Sequence, residues 1–222
     1  MPPPLQAVFF DVDGVLIDSL PQHLQICRDK AIEFNLPLKI PTVDEFRNAV
    51  SRGKKVSPMR DFFLAVGFPA NYADRAVADY EREFMQKYRP AAFQGVDQML
   101  RTLRTTGLKL GIATSNTRSN VVPALADSMQ YFDESCLFFF DRYPVPHSKS
   151  WCLIEGSRLL GINPSDCVYV GDQPADSVAA KDAGFKFLGV TYGWGIPKND
   201  SRFDTVDDLR DIPNKLLSMK TG

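Results

Sequence analysis

The stretch AVFFDVDGVLIDS, residues 7–19, decides how the rest of the chain is read. Four apolar residues, Ala7 to Phe10, run without interruption and stop at Asp11, and Asp13 and Gly14 follow. Unbroken apolar character over so short a run is what a strand covered on both faces requires. The two acids are harder to place. Asp-Gly is a common turn pair and polar residues gather at strand ends. Yet two carboxylates two residues apart repel each other, and folding alone gives no reason to want both.

Four later segments share the character of the first: KLGIAT (109–114), CLFFF (136–140), CVYVGD (167–172) and FKFLGV (185–190). Among them lie GVDQMLRTLRTTG, SNVVPALADSMQ, KSWCLIEGSRLLG and PADSVAAKDAG, which read as helices, three of them stopped by Gly. Strand alternating with helix predicts an α/β domain, a doubly wound parallel sheet with right-handed crossovers. The alternation breaks once. From Leu20 to Arg89 no strand is evident, but Leu20, Leu24, Cys27, Ala31 and Phe34 repeat at intervals of three and four, as one face of a helix does. Tyr72, Ala76, Tyr80, Phe84 and Tyr88 form a second such face, with Asn71 expected as its N-cap. Between them, Ser57 is expected to cap a helix with Pro58 at its first position. The expected organisation is a core of residues 1–18 and 90–222, with a helical module of residues 19–89 inserted after the first strand.

At 222 residues, 44% hydrophobic and 24% charged, the chain can bury a sizeable core. A formal net charge of -1 and the lack of a basic run argue against nucleic acid or an anionic membrane as principal partner. No apolar segment approaches the length of a membrane span, and the opening MPPPLQ lacks the features of an export signal. Cys27, Cys136, Cys152 and Cys167 stand singly, as small core residues in a reducing compartment do. Two histidines at unsuitable spacings make a zinc site unexpected. A cytoplasmic protein is expected, and nothing in the sequence fixes its oligomeric state.

Ligands of open α/β sheets bind beyond the carboxyl ends of the strands, near the point where strand order reverses. The first strand delivers Asp11 and Asp13 there, the second delivers Thr114, Ser115 and Asn116, and the fourth delivers Asp172, with Asp176 one helical turn on. Acids so gathered raise one another's pKa unless a cation relieves them, and an oxygen-only donor set favours Mg2+. Lys149, the only lysine between Lys109 and Lys181, precedes the helix that leads to the fourth strand and brings a cation of the chain's own.

These residues, in this order, carry a resemblance. The chain resembles the haloacid dehalogenase-like hydrolase superfamily, in the group with a mobile helical cap on a Rossmann-like core that includes phosphoglycolate phosphatases and β-phosphoglucomutases. DVDGV (11–15), Thr114 in GIATS, Lys149 and GDQPAD (171–176) match its four motifs, and the resemblance runs from Ala7 to about Trp194. Two departures are visible: Lys149 sits in HSKSWC without the proline that often follows, and Gln94-Gly95 stands where Pro-Gly is usual.

The resemblance implies different work for the two acids. Asp11 is expected to attack phosphorus and form an aspartyl-phosphate, and Asp13 to act as acid and then base. Mg2+ is expected on the Asp11 carboxylate, the Asp13 carbonyl and the Asp172 carboxylate, with Asp176 holding a metal-bound water. Thr114, Ser115 and Lys149 are expected to bind the phosphoryl group. An acid at position 13 suits phosphate transfer from an alcohol rather than dehalogenation, so a phosphatase acting on a small phosphorylated metabolite is the leading expectation. The alternative is a β-phosphoglucomutase-like enzyme, since His23 and Arg52 fall where those enzymes place sugar-phosphate and gating residues. Against it stands Gly171, where the mutases tend to carry a second acid. A non-catalytic phospholigand-binding protein is the third reading. His23, Arg52 and Lys54 are the candidate specificity residues, and the TYGWG loop, residues 191–195, could shape the pocket.

Overall fold

A computed structural model describes residues 5–221, so most of the MPPPLQ opening, residues 1–4, lies outside the described residues, as does Gly222. The strands are β1 (Ala7–Phe10), β2 (Ile17–Asp18), β3 (Ala91–Ala92), β4 (Lys109–Ala113), β5 (Leu137–Phe138), β6 (Cys167–Gly171), β7 (Lys186–Val190) and β8 (Thr205–Val206). Six of them form one sheet in the order β5-β4-β1-β6-β7-β8, every pair parallel. The helices are α1 (Leu20–Glu33), α2 (Val43–Ser51), α3 (Met59–Val66), α4 (Ala70–Lys87), α5 (Val96–Thr105), α6 (Arg118–Leu125), α7 (Lys149–Leu160), α8 (Pro174–Asp182) and α9 (Ile212–Thr221). The expected doubly wound sheet with inserted helices is present.

The four residues of β1 show why its apolar run is unbroken. Val8 and Phe10 enter a cluster with Leu100 of α5 and Ile212 of α9, while Ala7 and Phe9 enter another with Leu153 of α7 and Ala180 of α8. Strand side chains alternate, so a strand with a core on each side needs an apolar residue at every position. Register then sets the site. Phe10 lies level with Ile112 of β4 and Val170 of β6, so all three strands end at one edge and their next residues emerge together. Strand order reverses at β1, with β4 and β5 to one side and β6, β7 and β8 to the other.

The inserted helices α1 to α4 have a third cluster, rich in aromatics: Phe46, Phe62, Phe63, Tyr80 and Phe84 are all buried in it. Both helical stripes feed this cluster, through Leu20, Leu24, Cys27, Ala31 and Phe34 on one side and Ala76, Tyr80 and Phe84 on the other. Among sheet-side residues, Trp194 joins them. The two crossings between sheet and insertion pair as an antiparallel ribbon of β2 and β3.

Several boundaries differ from expectation. Pro69, not Asn71, is the N-cap of α4, and Pro58 caps α3 instead of starting it. CLFFF yields only a two-residue strand, and SNVVPALADSMQ changes after Leu125 from α-helix to a tighter 3-10 turn. The β2–β3 ribbon and β8 are additional. The three expected glycine stops, Gly107, Gly161 and Gly184, all take positive φ.

Candidate active site

The sheet edge brings together residues far apart in sequence. Carboxylate oxygens of Asp11, Asp172 and Asp176 lie within 4.8 Å of one another, and all three side chains are buried. The Nζ of Lys149 donates to Asp11 Oδ2 at 2.7 Å and to Asp176 Oδ1 at 2.7 Å. Lys149 is the first residue of α7, which runs close to the sheet because Gly156 makes room: a Cβ there would sit 2.5 Å from the Phe9 ring. Asp176 also finishes the start of α8, its Oδ2 accepting the backbone N–H groups of Asp172 (3.2 Å) and Gln173 (3.0 Å).

Three acids and one lysine leave negative charge in a dry place. Burial pushes the Asp11 carboxyl up to about 7, with Asp176 and Asp13 adding to the rise and Lys149 opposing it. Burial, then Asp176 and Asp11, hold Asp172 well above the usual carboxylate range. Burial works against the charge of Lys149, but Asp11 and Asp176 outweigh it and stabilise the ammonium. Asp172 Oδ2 accepts the Trp194 backbone N–H at 2.5 Å, whereas buried Asp172 Oδ1 has no hydrogen-bond partner among the described residues. Space around it is closed: a Cβ at Gly14 would lie 2.2 Å from Asp172 Oδ2, and one at Gly193 2.3 Å from Asp172 Cβ. An oxygen-only donor set, excess negative charge and an orphaned buried carboxylate oxygen fit a hard divalent cation.

Asp13 stands outside this cluster. Its Oδ1 accepts from Ser19 Oγ at 2.6 Å and its Oδ2 from Asn116 Nδ2 at 2.8 Å. Together with Asp11, Thr114 and Ser115 it lines a small recess of about 40 Å³ under Trp194 and His23. The recess shares Val56, Ser57, Thr114, Ser115 and Gln173 with a cavity of about 580 Å³ between sheet and insertion, which Lys54 and Lys149 also line. Thr114 Oγ1 accepts the backbone N–H of Asn116 at 3.1 Å. Cys152 borders the large cavity, but burial pushes its thiol up to about 11, which leaves little thiolate to compete as nucleophile.

The candidate specificity residues separate. His23 is buried at the recess, with Nδ1 donating to the Ser19 carbonyl at 2.7 Å, and burial lowers its pKa, keeping the ring neutral. Lys54 lines the large cavity, whereas Arg52 is exposed at the end of α2, outside that lining. Trp194 of TYGWG does more than shape a pocket: its backbone holds Asp172 and its ring packs on His23, Phe46 and Phe62 at centroid distances of 5.1, 6.0 and 5.7 Å. Beside it, Arg47 Nη2 donates to the Tyr192 carbonyl at 2.7 Å. Asn116 is a strand-end residue whose contact with Asp13 spans 103 positions, and no spacing rule announces such a pair.

Residues 8–190 match a family model described as haloacid dehalogenase-like hydrolase. An N-acetylmuramic acid 6-phosphate phosphatase of Pseudomonas aeruginosa is 27% identical over 97% of this chain and 94% of its own length. A phosphoglycolate phosphatase of Pseudomonas fluorescens is 31% identical, covering 92% of this chain and 77% of that protein. In fold, a crystal structure of a predicted phosphatase from Clostridium acetobutylicum superposes with a TM-score of 0.78 over 97% of this chain and 99% of that one, at 21% identity. Among the described residues no helix is long and apolar enough to cross a membrane.

Proposed function

This chain belongs to the haloacid dehalogenase-like hydrolase family, and from that premise we propose that it is a Mg2+-dependent phosphatase of a small phosphorylated metabolite in the cytoplasm. One observation carries the reading. Acids from two strand ends and a helix share a dry cluster with Lys149, with Asp172 Oδ1 unpartnered among the described residues, while Asp13 stands outside the cluster and lines a recess with Asp11. The relatives named as phosphatases of sugar-derived and two-carbon phosphates support it.

Asp11 attacks phosphorus in line. Its carboxylate oxygen forms a bond to phosphorus as the bond to the substrate alcohol breaks, and Asp13 gives its proton to the departing oxygen. The product is an aspartyl-phosphate, so one hard displacement becomes two easier ones. Asp13, now a carboxylate, takes a proton from water as the water oxygen attacks the same phosphorus. The bond to Asp11 breaks, inorganic phosphate leaves, and both side chains regain their starting states. Acid–base help of this kind is typically worth ~10²–10⁴-fold in rate. Lys149, Thr114 and Ser115 supply donors to the phosphoryl oxygens, where fixed donors in a dry site are most effective. The Asp11 and Asp172 carboxylates and the Asp13 carbonyl would hold Mg2+, with Asp176 orienting a bound water. When bound, the ion screens the nucleophile from the anionic phosphoryl group it must approach.

Residues 1–18 and 90–222 serve as the catalytic core and residues 19–89 as a cap that closes over the cavity, with His23 and Lys54 facing the leaving group and Arg52 at the rim. The mutase alternative loses ground at Gly171. A Cβ there would lie 2.5 Å from Asp176 Cβ, so a second acid at that position would displace the residue that anchors Lys149. The test is phosphate release from p-nitrophenyl phosphate with Mg2+ and with EDTA, using wild type and Asp11→Asn. Release that EDTA abolishes and Asp11→Asn lacks is expected; activity in the variant equal to wild type would overturn the mechanism.

A further inference from the structure

Six residues form a closed loop of hydrogen bonds between the sheet edge and the inserted helices, with five taking part through side chains alone and Ser19 through both its hydroxyl and its backbone carbonyl. From Asp13, one arm runs through Ser19 Oγ (2.6 Å), and the Ser19 carbonyl in turn accepts from His23 Nδ1 (2.7 Å). The other arm runs through Asn116 Nδ2 (2.8 Å), whose Oδ1 accepts from Asn120 Nδ2 at 3.0 Å. Tyr80 OH joins the arms, 3.3 Å from His23 Nε2 and 3.4 Å from Asn120 Nδ2. Donor directions are fixed around the loop. The Ser19 carbonyl can only accept, so Nδ1 carries the His23 proton and bare Nε2 accepts from the Tyr80 hydroxyl. Asn116 Oδ1 also accepts the Thr117 backbone N–H at 2.8 Å, which turns its amide nitrogen to Asp13.

The placement of the loop is unusual for a packing device. Ser19, His23, Tyr80, Asn116 and Asn120 are all buried, and apolar residues would fill the same volume without needing partners. Ser19 is the N-cap of α1, yet its side chain makes no cap bond, its hydroxyl going to Asp13 instead. Forgoing a cap leaves the start of a helix less stable, which implies a return elsewhere. The loop crosses from sheet to insertion twice, once along the chain from Asp13 to His23 and once through space, where Tyr80 of α4 meets Asn120 of α6. The second crossing exists only while the insertion sits on the sheet edge.

We propose that Tyr80 and Asn120 are positioning residues for Asp13: their contact closes the loop when the insertion is seated, and so aims the Asp13 carboxyl at the leaving group only over an enclosed substrate. This rests on the phosphatase reading. Each Asp13 oxygen uses one lone pair in the loop, which leaves capacity for the proton that is transferred. Coupling proton delivery to closure restricts leaving-group departure to a site from which bulk water is excluded.

The test compares two esters of similar shape, p-nitrophenyl phosphate and phenyl phosphate, with wild type, Tyr80→Phe and Asn120→Leu. Nitrophenolate departs without a proton, whereas phenolate depends on one. kcat/KM reports steps through the first irreversible one, so it isolates leaving-group departure from hydrolysis of the aspartyl-phosphate. We expect Tyr80→Phe, which keeps the ring packing, to lower kcat/KM about tenfold for phenyl phosphate and less than about twofold for p-nitrophenyl phosphate, a fraction of the usual general-acid effect. Asn120→Leu is expected to repeat that selectivity, and thermal melts of both variants measure any loss of fold. Equal losses on both esters, or no loss on phenyl phosphate, overturn the inference while leaving the phosphatase reading intact. A wild type that cleaves neither ester overturns both.

Discussion

The sheet edge and the inserted helices face each other across one cavity and are built on opposite terms. At the sheet edge, position is over-determined: Asp11, Asp172, Asp176 and Lys149 are held by strand register, backbone N–H groups and one another. The insertion is held by aromatic packing, and its cavity-lining charges, Lys54 and Lys55, are exposed. On the proposed reading, chemistry that needs sub-ångström placement lies on rigid strands, and selectivity lies where side chains can vary without disturbing a core.

The largest effect that separates the two regions is expected at Asp11, the proposed nucleophile. Asp11→Asn keeps the shape of the edge and is expected to lower phosphate release by ~10³-fold or more, because residues that act as a unit fail together. Steady-state assays check this, and a loss of only severalfold would place the nucleophile elsewhere.

Next is the contact between the regions. Trp194→Ala removes the one sheet-side ring that, among the described residues, joins the aromatic cluster, and is expected to cost about 3–5 kcal/mol, roughly 6 °C or more in Tm. Thermal melts check it; an unchanged Tm would mean that the insertion does not depend on this anchor.

A smaller effect tests the charge at the edge. Asp11 rises from 3.8 to about 7 on folding, and Asp172 also rises, so the folded chain binds more protons than the unfolded one in this range. Stability without metal is therefore present at lower pH and is lost as pH rises through about 7. Neutral buried His23 has the opposite sign and destabilises below its ordinary value of 6.5, which bounds the window from beneath. Melts in EDTA should show Tm falling as pH rises from about 6.5 through about 7, with Mg2+ reducing the slope. Asp172→Asn should raise the EDTA Tm by about 2–4 °C, for about 1 kcal/mol of relieved burial, and remove the response to Mg2+. A flat profile would show that the edge carries no uncompensated charge.

The smallest effects belong to the exposed rim. Lys54→Ala is expected to raise KM severalfold on the best phosphorylated metabolite with kcat unchanged, and Arg52→Ala to do so more weakly. Equal changes in kcat would move these residues into the catalytic step.

How much of this was legible in sequence follows the same division. Apolar runs ending in acids or in hydroxyl and amide residues announced β1, β4 and β6 and the residues they deliver, because strand and site residues are consecutive in the chain. Two-residue elements such as β2, β3 and β8 are too short to carry a period and are defined by their partners. Prolines 58 and 69 cap α3 and α4 where Ser57 and Asn71 read as the better caps, since packing of the helices outweighs cap preference. At the site, Asp11, Asp172, Asp176 and Lys149 were visible as an ordered series. The partners of Asp13 were not: Tyr80 lies 57 positions from His23 and 40 from Asn120, and only the folded chain makes them neighbours.

Trp194 occupies a single position yet faces two ways, its amide on the acid of one region and its ring beneath the helices of the other. Neither region can therefore be exchanged alone. A chimera that grafts residues 19–89 of a relative onto this sheet is expected to inherit a mismatched floor unless residues 191–195 travel with the graft.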